Sequence, residues 1–170
     1  MNRFLTILLT LLAAGPARAA IPARPNVLLV MADDLGYQDL SCYGSKMLKT
    51  PVLDQLAADG IRLTAFYAGA TVCTPSRMAL LTGAYPPRLG WRGGVVGYGI
   101  KTVNGLAPEA VTIAEVFKGA GYRTGLIGKW HLGWRWPKAG GGTTKKPAEI
   151  DYALPIGGGA LEAGFDHYFG

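Results

Sequence analysis

The sequence is sparing with charge, with cysteine and with long apolar runs. Only 16% of its 170 residues are charged, against 49% hydrophobic, and that balance excludes intrinsic disorder as a description of the whole chain. No internal repeat is present, and the 25 glycines and 11 prolines follow no Gly-X-Y period, which excludes a collagen-like chain. Beyond Leu12 no segment approaches the roughly 20 apolar residues of a bilayer span. The 17 Lys and Arg residues outnumber the 11 acids, but they are scattered and form no nucleic-acid arm. A net charge of +6 suits an anionic substrate without deciding one. What remains is a chain of ordinary length for one domain with a buried core.

The start of the chain reads as an address rather than as fold. Met1-Asn2-Arg3 is basic, Phe4 to Leu12 is apolar, and Ala17-Arg18-Ala19 has the small-x-small pattern of a signal peptidase site. The expectation is a cleaved signal over 1–19, a mature part over 20–170, and secretion or export to a periplasm without stable membrane insertion. In such an oxidising compartment a Cys42–Cys73 disulfide is the default expectation.

Further on, the pattern alternates strand, loop and helix. Asn26 to Met31 is a continuous apolar run, as in a strand buried on both faces, and it ends in the acidic loop Asp33-Asp34-Leu35-Gly36. Thr50-Pro51 predicts a helix start with Val52, Leu53 and Leu56 on its apolar side and Gly60 as its stop. Ile61 to Tyr67 alternates like a strand. After a loop over 68–74, Pro75 is expected to open a helix that Gly83 ends. Thr112 and Glu115 fit a capping box, and Tyr122 to Gly128 reads as a strand running into Lys129-Trp130-His131. The glycine-rich 88–108 reads as a surface loop, and 138–147 as a flexible insertion. The alternation predicts an α/β fold, a mainly parallel sheet with helices on both faces. Ligands of such sheets sit beyond the carboxyl ends of the strands, which places three clusters on one rim.

Each cluster has a chemical and a plain reading. Asp33 and Asp34 repel unless a hard divalent cation draws oxygen ligands from both; the same pair also suits a solvated turn. Cys73-Thr74-Pro75-Ser76-Arg77 sets a nucleophilic side chain at a helix start that attracts anions, with a guanidinium one turn on. A structural cysteine before an incidental helix would look alike. Lys129 and His131, two apart at a strand end, face one side and offer a cation and a proton carrier, or else are a surface lysine and a satisfied histidine.

Taken with Leu80-Leu81-Thr82-Gly83, the Cys73–Arg77 element resembles the first signature of the type I sulfatases, and Gly128-Lys129-Trp130-His131-Leu132-Gly133 resembles their second. Pro25 to Leu28 with Asp33–Gly36, Thr50 to Asp54, and the closing Gly164-Phe165-Asp166-His167-Tyr168-Phe169-Gly170 are similar to further family segments, so that the match runs from Pro25 onward. The resemblance implies an alkaline-phosphatase/sulfatase-like fold. It implies a sulfuric ester hydrolase acting on an aryl or carbohydrate sulfate. It implies that a formylglycine-generating enzyme, reading Pro75 and Arg77, oxidises Cys73 to formylglycine, so Cys73 is not spent in a disulfide. One hydroxyl of the hydrated aldehyde then attacks sulfur, and the other, once deprotonated, expels sulfate. By the same resemblance Asp33 and Asp34, with the group derived from Cys73, ligate Ca2+. Arg77 and Lys129 hold nucleophile and anion, and His131 hydrogen-bonds the diol. A phosphonate or phosphate monoester hydrolase of the same superfamily is the alternative enzyme, and an inactive anion-binding shell the alternative of another class. The family's later Asp-Asn pair and its second histidine and lysine have no match after His131. The resemblance therefore implies an N-terminal portion, truncated on its C-terminal side and inactive alone. No role is expected for His167.

Overall fold

The structure is a computed structural model that describes residues 24–96 and 105–170. The 1–19 signal and part of the 88–108 loop lie outside the described residues. The chain divides into two compact units, residues 1–36 and residues 37–170.

In the first unit, Asn26 to Met31 joins no ladder, contrary to the expected buried strand. Leu28 is 90% and Val30 81% exposed. An apolar strand of a parallel sheet is defined by neighbours on both sides, and no described strand pairs with this run.

The second unit opens with two short 3-10 turns, Tyr37–Asp39 and Ser41–Tyr43, ahead of α1 (Pro51–Asp59). Proline takes the first position of α1 as expected, but the Thr50 side chain does not cap it. Its Oγ1 instead accepts the Ser41 N–H at 3.0 Å and donates to Asp54 Oδ1 at 3.1 Å. Asp54 also accepts the Ser41 hydroxyl at 2.5 Å and the Cys42 N–H at 2.8 Å. The Ser41 hydroxyl does most to hold the Asp54 carboxyl below its ordinary value. Ile61 to Tyr67, expected as a strand, has no ladder; Tyr43 and Tyr37 donate their hydroxyls to the Leu63 and Thr64 carbonyls instead. Val52, Leu56 and Ile61 are exposed.

α2 (Cys73–Thr82) starts two residues before the expected Pro75 and is closed by Gly83, whose φ of 65° suits the left-handed turn. Its Met78 and Leu81 pack with Trp130, Leu132 and Ala160 into the core. α3 (Ile113–Gly119) carries the expected capping box. The Glu115 N–H donates to Thr112 Oγ1 and the Thr112 N–H to Glu115 Oε2. The Thr112 hydroxyl also donates to the Ala163 carbonyl at 2.6 Å, which ties the helix start to the end of the chain. β1 (Gly125–Ile127) is shorter than expected and pairs in parallel with β2 (His167–Phe169), Gly125 opposite His167. Trp130 and Leu132 enter the core, while Lys129 stays exposed and His131 half-buried.

The 138–147 segment is tied down rather than loose. Pro137 bridges Thr143, Lys138 bridges Ile150, and buried Thr144 donates its hydroxyl to Glu149. Lys146 and Lys138 both approach the same carboxylate, which sits at about 2, Lys146 contributing most. Asp166 is likewise held at about 2, first by Lys118 at 2.7 Å and then by the Thr124 N–H at 2.9 Å.

Thr112→Ala removes both the cap and the bond to Ala163, and unfolding in urea is expected to show a loss of about 1–2 kcal/mol, with Thr112→Ser close to the parent. Asp166 has a folded value below its ordinary 3.8, so its stabilisation is complete above that pH and disappears as pH falls to about 2. Thermal midpoints of the parent and of Asp166→Asn should therefore differ at neutral pH and converge near pH 2.

Candidate active site

Two of the three sequence clusters meet in the second unit. Cys73 is the first residue of α2, half-buried, with a free thiol; Cys42 is also free. Cys73 stands in the first turn, at the N-terminus of the helix, where the dipole favours negative charge. Two side chains of the same turn reach across to the segment after β1. Arg77 Nη1 donates to the Lys129 carbonyl at 2.6 Å, and the Thr74 hydroxyl donates to the His131 carbonyl at 3.0 Å. These bonds span 52 and 57 residues of sequence.

His131 is held on both sides. Its ring Nε2 lies 3.0 Å from the Val96 carbonyl, and the Val96 N–H donates to Thr74 Oγ1 at 2.9 Å. Its backbone has φ 54°, the left-handed region that few non-glycine residues occupy. Asp34, with φ 55°, is the other non-glycine residue of this kind among the described residues. Such conformations cost about 1–3 kcal/mol and persist where surrounding structure over-determines them. Their coincidence with two sequence candidates separates these two from the other acids and from His167, which is exposed on β2.

Asp33 and Asp34 are exposed and belong to the first unit. Adjacent carboxylates supply the hard oxygen donors that Ca2+ prefers, so their chemistry fits the ion in kind. In number they are short of the usual 6–8 ligands. No group of three His, Cys, Asp or Glu side chains gathers among the described residues.

Sequence reasoning passed over Thr74 and Val96. Thr74 lay inside the recognised element but has no chemistry of its own, and Val96 sits in a glycine-rich stretch without periodicity. Gly105 was passed over too. A Cβ there would fall 1.7 Å from the Leu132 carbonyl oxygen, which accepts the Leu106 N–H at 2.9 Å.

The sulfatase family model matches residues 25–170. The chain belongs to the sulfatase family. Steryl-sulfatase of Mus musculus is 57% identical over 127 residues, 72% of this chain and 20% of that protein. Arylsulfatase A of Homo sapiens is 53% identical over 124 residues, 73% of this chain and 24% of that protein. A solved structure described for the metabolism of multiple glycosaminoglycans by Bacteroides thetaiotaomicron is 38% identical, with a TM-score of 0.63, over 81% of this chain and 26% of that one. The fold is accordingly the α/β, alkaline-phosphatase-like fold of sulfatases, represented here by part of its domain. The sulfatase-family chain spans about a fifth to a quarter of the curated relatives it matches.

Gly105→Ala is expected to push the Leu132 backbone away and to cost about 1–3 kcal/mol in a denaturant titration. Gly94→Ala, where an added methyl meets nothing within 4 Å, should stay within about 0.5 kcal/mol of the parent.

Proposed function

We propose that this chain forms the nucleophile-bearing part of a secreted or periplasmic sulfuric ester hydrolase that acts on an aryl or carbohydrate sulfate. The observation that carries the reading is the joining of the Cys73–Arg77 turn to the Lys129–His131 segment by two long-range hydrogen bonds, in a chain of the sulfatase family. The names of its relatives support the substrate class: one is an arylsulfatase, and one solved structure concerns glycosaminoglycans.

Cys73 is the residue that a formylglycine-generating enzyme would oxidise, with Pro75 and Arg77 at the spacing that enzyme reads; Cys42, followed by Tyr43-Gly44-Ser45-Lys46, lacks them. Once converted, Cys73 would supply an aldehyde hydrate, whose chemistry is to take the sulfuryl group as the substrate's alcohol leaves and then to release sulfate with return of the aldehyde, which a plain serine or cysteine ester cannot do internally. The protein's own residues do the rest. At the start of α2 the Cys73 and Thr74 N–H groups would serve the anion, since Pro75 has none and the Ser76 N–H is given to the Val72 carbonyl. Arg77, with Nη1 fixed on the Lys129 carbonyl, lays its charge beside Cys73, and the exposed Lys129 ammonium adds a second cation. His131 hydrogen-bonds the nucleophile's hydroxyl. Asp33 and Asp34 are the carboxylates that would hold Ca2+, an ion whose chemistry is to polarise the sulfate oxygens. The 1–19 segment is read as a signal removed on export, leaving 20–170 as the N-terminal part of the catalytic domain. Among the described residues no helix is long and apolar enough to cross a membrane.

Co-expression with a formylglycine-generating enzyme should give a peptide carrying the aldehyde at Cys73 and an unmodified Cys42, in a protein starting at Ala20. A thiol at Cys73 beside a modified control sulfatase would refute the reading. A chimera in which this chain replaces the matching segment of human arylsulfatase A should hydrolyse a chromogenic aryl sulfate. Cys73→Ala should abolish turnover, and Lys129→Ala should lower kcat by about 10²–10³-fold. Faster turnover of phenyl phosphonate than of phenyl sulfate would move the assignment to phosphonate or phosphate monoesters. The 170-residue chain alone, with no leaving-group acid assigned, should show no measurable turnover of the aryl sulfate.

A further inference from the structure

We propose that Thr74 is a positioning residue whose single hydroxyl fixes the tautomer of His131, holding the neutral ring as Nε2–H and leaving the lone pair on Nδ1. The proposal rests on the reading of His131 as the histidine that meets the Cys73-derived nucleophile, and it specifies which nitrogen does so. Three hydrogen bonds close a ring. The Thr74 hydroxyl donates to the His131 carbonyl at 3.0 Å, the Val96 N–H donates to Thr74 Oγ1 at 2.9 Å, and His131 Nε2 meets the Val96 carbonyl at 3.0 Å. A carbonyl oxygen only accepts, so the last contact is a hydrogen bond only when Nε2 carries the proton. In the neutral imidazole the lone pair then belongs to Nδ1, the nitrogen able to accept a hydrogen bond from a hydroxyl.

Thr74 controls both ends of this arrangement. Its proton goes to the carbonyl of His131, a residue held at φ 54°, and its oxygen accepts the N–H of Val96, the residue whose carbonyl takes the ring proton. Thr74 is fully buried and Val96 6% exposed, so water does not replace either bond without opening the core. Because Thr74 directly follows Cys73, the same hydroxyl sets the histidine relative to the start of α2. Serine can make both bonds; valine keeps the volume and makes neither.

The test reads the ring nitrogens of the 170-residue chain, carried on a His167→Gln background so that His131 is the remaining histidine. Long-range proton–nitrogen spectra at a pH where the ring is neutral should show Nε2 protonated and Nδ1 bare, together with a slowly exchanging Thr74 hydroxyl proton near the His131 backbone. Thr74→Ser should reproduce the pattern. Thr74→Val should weaken the bias between tautomers by about five- to tenfold, the worth of one net hydrogen bond. An Nδ1–H ring in the parent, a rapidly exchanging Thr74 hydroxyl, or an unchanged tautomer ratio in folded Thr74→Val would each overturn the proposal. The first two need no Thr74 variant and decide the matter should Thr74→Val fail to fold. Formylglycine at Cys73 is scored separately by mass, so an unmodified Cys73 with the expected ring pattern rejects the catalytic reading and leaves the clamp standing.

Discussion

The second unit depends on a cross-link of side chains to backbone carbonyls between the first turn of α2 and the segment that follows β1. Thr74 and Arg77 lie three residues apart and so project from neighbouring positions of one turn. Their partners, the His131 and Lys129 carbonyls, lie two apart on the segment that follows β1. The spacing of one element therefore matches the spacing of the other. Each bond alone has a net worth of about 1 kcal/mol, but the Thr74 hydroxyl is buried, and breaking its bonds leaves polar groups unsatisfied at greater cost.

The apolar core holds the two segments at bonding distance. Met78 and Leu81 of α2 pack against Trp130 and Leu132, so the residues that alternate with Lys129 and His131 are the ones that anchor the strand end. The close approach at Gly105 extends this logic, since its missing side chain lets the Leu106 N–H reach the Leu132 carbonyl. Packing and polar contacts thus specify one register.

Charge follows a different rule. Most ion pairs described here, Lys118 with Asp166, Arg135 with Glu162, and two lysines with Glu149, sit on half-exposed surfaces. Such pairs contribute little to stability singly, although Lys118 and Lys146 pull their carboxylates down to about 2. Their place is in the later half of the chain, pinning the 138–150 segment and the approach to β2. Arg77, by contrast, donates from α2 to a backbone carbonyl, that of Lys129.

Local signals in the sequence were enough for every element whose cause is itself local. The capping box at Thr112 and Glu115, proline at the head of α1, and glycine after α2 each act within one turn of chain, and each has the expected helix. The resemblance carried by the Cys73–Arg77 element and by Gly128–Gly133 sufficed for the family, which the family model over residues 25–170 bears out. Strands were legible only as pattern. Asn26 to Met31 and Ile61 to Tyr67 have the composition, but a strand exists through its neighbours, and no ladder forms on them among the described residues. What tertiary structure alone decided is the ring of Thr74, Val96 and His131, because hydrogen bonds between groups 22 to 57 residues apart leave no periodic trace for a sequence to show.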